Sequence, residues 1–233
     1  MNKQSNTYTI IYIVVMVVIV GASLAATSLL LSDKQRENES ADTMMQILAS
    51  VNITPDKGDV AQVFDKYIIA QKLVSINGDA TDGDALDVAM KDEIKLTPDK
   101  RSLPLFVCTL DDGSMKYIVP VYGAGLWGPI WGYIAFDSDG STIYGAYFAH
   151  QGETPGLGAE ISQDKFRNQF AGRHVFVNGT FHPIEVVKGG VAPISGADYV
   201  DGVTGGTITS KGVGAMIDNC LTPYQNFLMS LNR

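Results

Sequence analysis

An uncharged apolar run near the N-terminus constrains this chain more than any other feature of its sequence. Residues Tyr8 to Leu31 contain no charged side chain. A helix of that length extends about 36 Å, slightly more than the ~30 Å hydrocarbon core of a bilayer. The alternative is a cleaved signal peptide, with small residues at Ser23 and Ala25, but the run is longer than the usual apolar core of a signal peptide. The sequence therefore predicts one retained transmembrane helix, with tail and anchor together covering residues 1–31.

The charges place the remainder of the chain among acidic domains. The sequence contains 17 Lys+Arg against 25 Asp+Glu, a net charge of −8, and of all these only Lys3 precedes Leu31. This balance argues against a nucleic-acid surface and disfavours docking on anionic lipid headgroups. Because Lys3 lies before the apolar run while Lys34 and Arg36 follow it, the positive-inside rule leaves the orientation of the helix open.

Residues 32–100 predict a helical prelude and a polar loop. Ser32 and Asp33 are candidate caps of a helix that continues to Pro55, where proline stops it. A second helical pattern covers residues 59–73, in which apolar side chains recur at three-to-four spacing. The Gly/Asp-rich residues 77–84 are typical of a loop.

Residues 101–233 read as strands followed by helices. Three pairs of strands are predicted, with turns at Asp112-Gly113, at residues 137–140 and at Asn178-Gly179. A helix is predicted over residues 162–170, and a terminal helix in which Pro223 introduces a kink or starts a second helix with Thr222 as its N-cap. Since helices and strands do not alternate as βαβ units, the fold class is α+β: one N-terminal transmembrane helix followed by a mixed helix/antiparallel-strand domain.

The cysteines and histidines predict neither a disulfide framework nor a metal site. Cys108 and Cys220 are widely separated, and each is better interpreted as a small buried apolar residue, although their disulfide state stays open. The histidines show no HExxH or i,i+4 spacing, so nothing supports a metal site.

A glycine-rich segment, Tyr122 to Pro129, contains the spacing GxGxxG. In a dinucleotide-binding fold this motif opens a helix, whose N-terminus holds the pyrophosphate. Here Pro129 and a predicted strand follow instead. The sequence therefore favours a glycine-bent connection between strands, with Trp127 and Trp131 packing in the core.

Two further glycine-rich segments are candidate binding loops. Residues 152–160 contain Pro155 and predict a tight turn whose backbone N–H groups face a ligand, or else an ordinary surface loop. Residues 201–210 precede the terminal helix and combine threonines with two adjacent glycines. Glycine lets a bulky group approach a threonine closely, and a helix N-terminus attracts phosphate. A cap at Thr209 or Ser210 is compatible with a phosphate at Thr207.

These segments, in this order behind a single anchor, resemble the family of the C-subunit of the sodium-translocating NADH:quinone reductase, and less closely the G-subunit of the Rnf complex. Members of that family contain an FMN-binding domain in which a threonine is esterified to the ribityl phosphate of FMN. The family's attachment motif is approximately Asp-x-x-Ser/Thr-Gly-Ala-Thr, and this chain has Asp201, Thr204, Gly205, Gly206 and Thr207. Residues 153–158 and 125–129 also resemble stretches typical of the C-subunit.

The resemblance implies that Thr207 binds FMN covalently through a phosphoester. It also implies a pocket formed by Trp127, Glu153, Thr154, Leu157, Thr204, Gly205 and Gly206. An FAD-dependent FMN transferase would attach the flavin, and Asp201 is a candidate for docking that enzyme or its metal. The domain would face the periplasm from a single-pass helix in the bacterial inner membrane, in contact with lipid and with the other membrane subunits. The flavin would relay single electrons towards quinone, coupled to sodium export, and the chain alone would not oxidise NADH.

Two other functions stay open at this point. The chain could be an Rnf-type subunit or another tethered flavinylated electron-transfer domain, with different electron partners. It could also be a membrane-tethered binding domain without a cofactor.

Overall fold

A computed structural model describes residues 6–193 and 196–232. The chain divides into two compact units, residues 1–43 and residues 44–233. The predicted segment 32–100 contributes to both units, and its boundaries stay a prediction. Residues 1–5 of the predicted tail lie outside the described residues.

Helix α1 covers Asn6–Ser50 without interruption. Within the described residues it is the one helix long and apolar enough to cross a membrane. The prediction that Ser32 and Asp33 cap a new helix is wrong, because the apolar helix continues through them and the Ser32 hydroxyl donates to the Leu29 carbonyl at 2.9 Å. The helix ends before Pro55, as predicted, and Asn52 adopts a left-handed conformation with φ of 62°.

The second unit consists of short helices and strands. The remaining helices are α2 Val60–Tyr67, α3 Met90–Glu93, α4 Asp164–Arg167, α5 Thr207–Leu221 and α6 Gln225–Leu231. The strands are β1 Ile68–Val74, β2 Ala80–Asp82, β3 Leu103–Thr109, β4 Met115–Ala124, β5 Pro129–Asp137, β6 Ile143–His150, β7 Phe176–Val177, β8 Thr180–Phe181, β9 Glu185–Val187 and β10 Tyr199–Asp201. Short 3-10 segments cover Pro98–Lys100, Gly158–Ser162 and Thr222–Tyr224.

A six-stranded antiparallel sheet in the order β2-β1-β3-β4-β5-β6 forms the centre of this unit. All three predicted strand pairs are present: β3 pairs with β4, β5 with β6, and β7 with β8, each in antiparallel register. Outside the six-stranded sheet, β9 and β10 form a two-stranded parallel pair. The predicted α+β fold class is confirmed.

Apolar side chains pack against both faces of the six-stranded sheet, as the residues of strand β3 illustrate. Its alternate residues Leu103, Leu105 and Val107 join the larger core cluster, which contains the buried face of α5. Phe106 and Cys108 point to the smaller cluster on the other face. That smaller cluster receives Ile47, Leu48 and Val51 from the end of α1 and the residue that follows it, together with Phe64 from α2. Every residue of β3 from Leu103 to Cys108 is therefore buried.

The cysteines are free and buried, as predicted. Cys108 lies in the smaller cluster and Cys220 in the larger one, on opposite faces of the sheet. A sheet stands between the two thiols, so they are not positioned to form a disulfide.

Three predicted elements are wrong in part. The helix predicted over residues 59–73 ends at Tyr67, because the chain from Ile68 pairs with β3 as strand β1. Within the loop predicted over residues 77–84, β2 extends that sheet. The helix predicted over residues 162–170 contains only the single turn α4, although Phe166 and Phe170 point inward as predicted.

The terminal helical region is interrupted at Pro223. Helix α5 ends at Leu221, a 3-10 turn covers Thr222–Tyr224, and α6 follows. The break at Pro223 is confirmed, but the N-cap residue of α6 is Tyr224 rather than Thr222. The Tyr224 ring is fully buried and its hydroxyl donates to the Pro104 carbonyl at 2.7 Å, which holds the break against β3.

Candidate functional site

Helix α5 begins at Thr207, immediately after the paired glycines. Its N-cap is Gly206, which offers no side chain to cap the first turn. The Ser210 N–H donates to the Gly206 carbonyl at 2.9 Å, and the N–H groups before it in the helix have no intrahelical acceptor. The Thr207 side chain is exposed at this end. A hydroxyl therefore lies where the helix dipole and free N–H groups favour a phosphate.

The four hydroxyls of this segment fall into two pairs. Thr204 and Thr207 are exposed, whereas Thr209 and Ser210 are buried and hydrogen-bonded. The Ser210 hydroxyl oxygen accepts from the Val203 N–H at 2.9 Å, and the Thr209 hydroxyl donates to Glu153. The predicted cap at Thr209 or Ser210 is wrong, because the helix starts earlier and both residues lie inside its first turn.

The paired glycines pack against the loop at residues 154–158. Gly205 has a φ of 78°, and a Cβ built on it would lie 2.6 Å from Cδ2 of Leu157. Gly206 is buried, and a Cβ there would lie 3.3 Å from the Cα of Gly158. These two segments, separate in the sequence, thus form one surface at the start of α5.

Glu153 links this surface to a third segment, the connection between β4 and β5. The residue is 4% exposed. Its Oε1 accepts from the Trp127 N–H at 2.8 Å, and Oε2 accepts from the Thr209 hydroxyl. The Glu153 N–H donates to Nδ1 of His150 at 3.2 Å. All three glycine-rich segments identified from the sequence therefore meet at one carboxylate.

Large apolar side chains of these segments are exposed to solvent. They are Leu126 at 47%, Trp127 at 68%, Leu157 at 43% and Ile208 at 58%. The prediction that Trp127 packs in the core is wrong. Trp131, predicted there too, is half-buried and donates its ring N–H to Gln46 at 2.9 Å. Leu126 and Ile208 were not predicted, and their only signal in the sequence is an apolar side chain within a glycine-rich segment.

The other candidate residues have structural partners. Thr154 is exposed, and its carbonyl accepts from the N–H groups of Leu157 and Ala159 at 3.1 Å each. The Asp201 carboxylate accepts from the Gly190 N–H at 3.2 Å. Beside it opens a cleft of about 670 Å³, within the size range of small-molecule sites. The lining includes Thr204, Glu160 and Lys165 as well as Asp201.

The GxGxxG spacing is not part of a dinucleotide fold. Gly125 and Gly128 lie between the antiparallel strands β4 and β5, where the Gly125 N–H donates to the Gly128 carbonyl at 2.8 Å. No helix follows within this connection, so the interpretation as a glycine-bent strand connection is confirmed.

Residues 125–222 match the family model of the FMN-binding domain. That region contains every candidate pocket residue and the whole start of α5. Fold and site therefore define an FMN-binding-domain protein, preceded here by a helix with the length and composition of a membrane span.

Comparison with individual relatives indicates which family of FMN-binding-domain proteins this chain is similar to. The C-subunit of the Na(+)-translocating NADH-quinone reductase from Vibrio anguillarum is 33% identical over 228 residues, which cover 91% of this chain and 89% of the relative. The crystal structure of the same subunit from Parabacteroides distasonis is 46% identical with a TM-score of 0.79, covering 85% of this chain and 96% of that one. Shewanella oneidensis NqrC is 25% identical with a TM-score of 0.68, covering 83% and 98%.

This chain belongs to the C-subunit family of the Na(+)-translocating NADH-quinone reductases. The resemblance to that family is thereby confirmed. Its members are named as one subunit of an NADH-quinone reductase, which implies further subunits as partners.

Proposed function

We propose that this chain is the membrane-anchored FMN-carrying subunit of a sodium-translocating NADH:quinone reductase, with FMN esterified through its phosphate to Thr207. In this proposal the flavin relays single electrons between the other centres of the complex on the way to quinone. The folded unit lies on the periplasmic side of a bacterial inner membrane, and the anchor contacts lipid and neighbouring subunits. The observation that carries the proposal is an exposed threonine hydroxyl at the first position of α5, inside the region that matches the FMN-binding domain.

The start of α5 fits a phosphate ester in charge and in shape. An anion at a helix N-terminus is stabilised by the dipole and by free N–H groups. Gly205 and Gly206 add no side chain that would shield the Thr207 hydroxyl. In attachment by an FAD-dependent FMN transferase, that hydroxyl is the group of this chain that reacts. Its oxygen forms the new bond to phosphorus, AMP leaves, and the hydroxyl proton passes to a base of the transferase.

The exposed apolar side chains suit the aromatic part of the cofactor. Trp127, Leu157 and Ile208 belong to the same three segments that meet at Glu153, and all are exposed. Large apolar side chains exposed together mark a ligand or partner surface. We propose that they pack against the flavin ring or against a neighbouring subunit.

The chain's own residues support a relay function rather than hydride transfer from NADH. FMN supplies one-electron redox chemistry when it is bound. Hydride transfer requires the nicotinamide to be held over the flavin by a second site for the rest of the dinucleotide. The one candidate fingerprint, at Gly123, Gly125 and Gly128, lies in a strand connection, and the net charge of −8 disfavours a diphosphate.

Substitution of Thr207 tests the attachment directly. Thr207→Val preserves the branched shape but removes the nucleophilic oxygen, so it should abolish covalent flavin. Thr207→Ser should retain part of it. The measurement is flavin fluorescence of the denatured chain on a gel after production together with the transferase. Thr180→Val, at an exposed threonine of β8, is the matched control and should keep full fluorescence.

Thr204→Val separates the two exposed threonines of the motif. If fluorescence disappears in this variant and persists undiminished in Thr207→Val, the attachment site is Thr204 and the assignment to Thr207 is wrong.

A further inference from the structure

Glu153 is a buried carboxylate without a cationic partner among the residues that the structure describes. The ion pairs within residues 6–193 and 196–232 involve other acids, and Glu153 is 4% exposed. A buried charge costs much free energy unless hydrogen bonds replace its water. Two donors do so here, the Trp127 N–H and the Thr209 hydroxyl, one for each oxygen. Both oxygens are thus engaged below the surface.

Two glycines make room for this carboxylate. A Cβ built on Gly125 would lie 2.5 Å from Oε1, and one built on Gly158 would lie 2.3 Å from Oε2 and 2.5 Å from the Thr209 hydroxyl oxygen. These distances are all shorter than van der Waals contact. The backbone therefore packs against the carboxylate from two sides. This arrangement is that of a side chain engaged in contacts within the fold, and it leaves little space for a ligand at the carboxylate.

We propose that Glu153 is a positioning residue for the flavin attachment site and not a ligand of the flavin. Its carboxylate joins the β4–β5 connection to the first turn of α5, and so fixes Trp127 and Thr207 in one arrangement. The consequence for flavin attachment rests on the proposed function of Thr207. The structural part, the joining of the two segments, does not depend on it.

A carboxylate serves this purpose better than its amide. Both carboxylate oxygens accept, and both partners donate. In Glu153→Gln one oxygen can still accept from the Trp127 N–H, but the amide NH₂ can only donate to the Thr209 hydroxyl oxygen, so the Thr209 proton no longer has the carboxylate as its acceptor. The negative charge is also lost beside the positive end of α5. Gln should therefore preserve the contact to the β4–β5 connection and weaken the contact to the helix.

Hydrogen exchange of the full-length, flavin-free chain in detergent tests the joining of the segments. In Glu153→Ala we expect the Trp127 amide and the first turn of α5 to exchange at least about tenfold faster, because local opening no longer breaks a bond to the carboxylate. In Thr209→Val only the α5 side should respond, and this variant keeps the carboxylate if Glu153→Ala fails to fold. Asp112→Asn is the matched control, because that carboxylate accepts from the Ser114 N–H in the turn at the opposite end of β4.

The rate of flavin attachment by the transferase tests the consequence. At saturating acceptor chain, Glu153→Ala and Thr209→Val should each lower this rate about tenfold, and the double variant should be no slower than the slower single variant, since both remove one linkage. Glu153→Gln should fall between wild type and Glu153→Ala.

Three results would overturn the proposal. The first is wild-type exchange at Trp127 together with a wild-type attachment rate in Glu153→Ala. The second is an effect of the two single variants that is additive in the double variant. The third is an altered flavin absorption spectrum in Glu153→Gln with unchanged exchange in the flavin-free chain, which would make Glu153 a flavin ligand. Failure of Thr207 as the attachment site would appear separately, in Thr207→Val, and would leave the exchange result standing.

Discussion

The adjacent glycines Gly205 and Gly206 should differ in how much the same added methyl group destabilises the fold. Gly205 has a φ of 78°, a left-handed conformation that costs an L-residue about 1–2 kcal/mol. The new Cβ would also lie 2.6 Å from Cδ2 of Leu157, but that atom ends a flexible, 43%-exposed side chain that can turn away. The backbone conformation therefore dominates. After the gain of about 0.4–1 kcal/mol from a less flexible unfolded chain, Gly205→Ala should destabilise by about 1 kcal/mol.

Gly206→Ala should be close to neutral. The φ of Gly206 is −105°, so alanine there does not incur the cost of a left-handed backbone. Its Cβ would lie 3.2 Å from the Cβ of Val203 and 3.3 Å from the Cα of Gly158, so these neighbours must move by a few tenths of an ångström. The gain from the less flexible unfolded chain offsets that adjustment. Alanine is also the residue that the family's attachment motif usually has at this position.

Thermal unfolding of the two variants, measured in detergent by circular dichroism, decides between these expectations. For a domain of about 150–250 residues, 1 kcal/mol shifts the Tm by about 2–4 °C. Gly205→Ala should lower the Tm by that amount, whereas Gly206→Ala should stay within about 2 °C of wild type and retain covalent flavin. Equal shifts for both variants, or a larger loss in Gly206→Ala, would show that side-chain contacts rather than backbone conformation determine the cost.

Four further predictions concern the remainder of the chain. A chain that starts at Ser32 should be soluble and monomeric by size-exclusion chromatography. In that chain, Ile47→Ala should lower the free energy of unfolding by about 2–5 kcal/mol, because this α1 residue is fully buried in the smaller core cluster. Burial raises the pKa of the Cys108 thiol to about 11, so at pH 8 iodoacetamide should label it only after denaturation; rapid labelling of the native chain would contradict the burial. Anaerobic NADH should leave the flavin absorbance of the loaded chain unchanged while dithionite bleaches it, and rapid bleaching by NADH would make this chain a dehydrogenase.

The elements that could be predicted from the sequence are those whose structural signal is local. The turn at Asp112-Gly113 lies between two apolar runs, and Gly113 has the positive φ that such a turn requires. The Asn178-Gly179 turn follows the same rule, with φ of 52° and 77°. In both turns the residues that fix the geometry are adjacent in the chain, so no knowledge of the tertiary fold was needed.

The errors arose where distant residues decide the local structure. The helical spacing of apolar residues from Val60 to Tyr67 corresponds to helix α2. The same spacing continues beyond Tyr67, but there the chain pairs with β3 and forms strand β1. Ile68 pairs with Cys108, a partner that no local pattern could indicate. The parallel pair of β9 and β10 was missed because its two strands are separate in the sequence and each has only three residues.

The candidate site was predictable as a set of segments but not as an arrangement. Each glycine-rich segment was recognised from its composition, and the resemblance to a family grouped them. No pattern in the residues indicated that Glu153 is buried between them, nor that Trp127 is exposed at 68%. A glycine-rich composition indicates which backbone segments can bend. The burial of a side chain depends instead on the tertiary contacts that those segments make.

The burial pattern of the first turn of α5 leaves Thr207 outside the contacts that hold this helix against the fold. Gly206, Thr209 and Val213 recur at three-to-four spacing and are buried, so they lie on the face that packs on the fold. Thr207 falls between these positions and is exposed. Within the described residues, the side-chain hydrogen bonds that hold this turn to its neighbours are made by Thr209 and Ser210. Under the proposed attachment to Thr207, esterification would break none of these bonds, so we expect the transferase to act on a chain that has already folded.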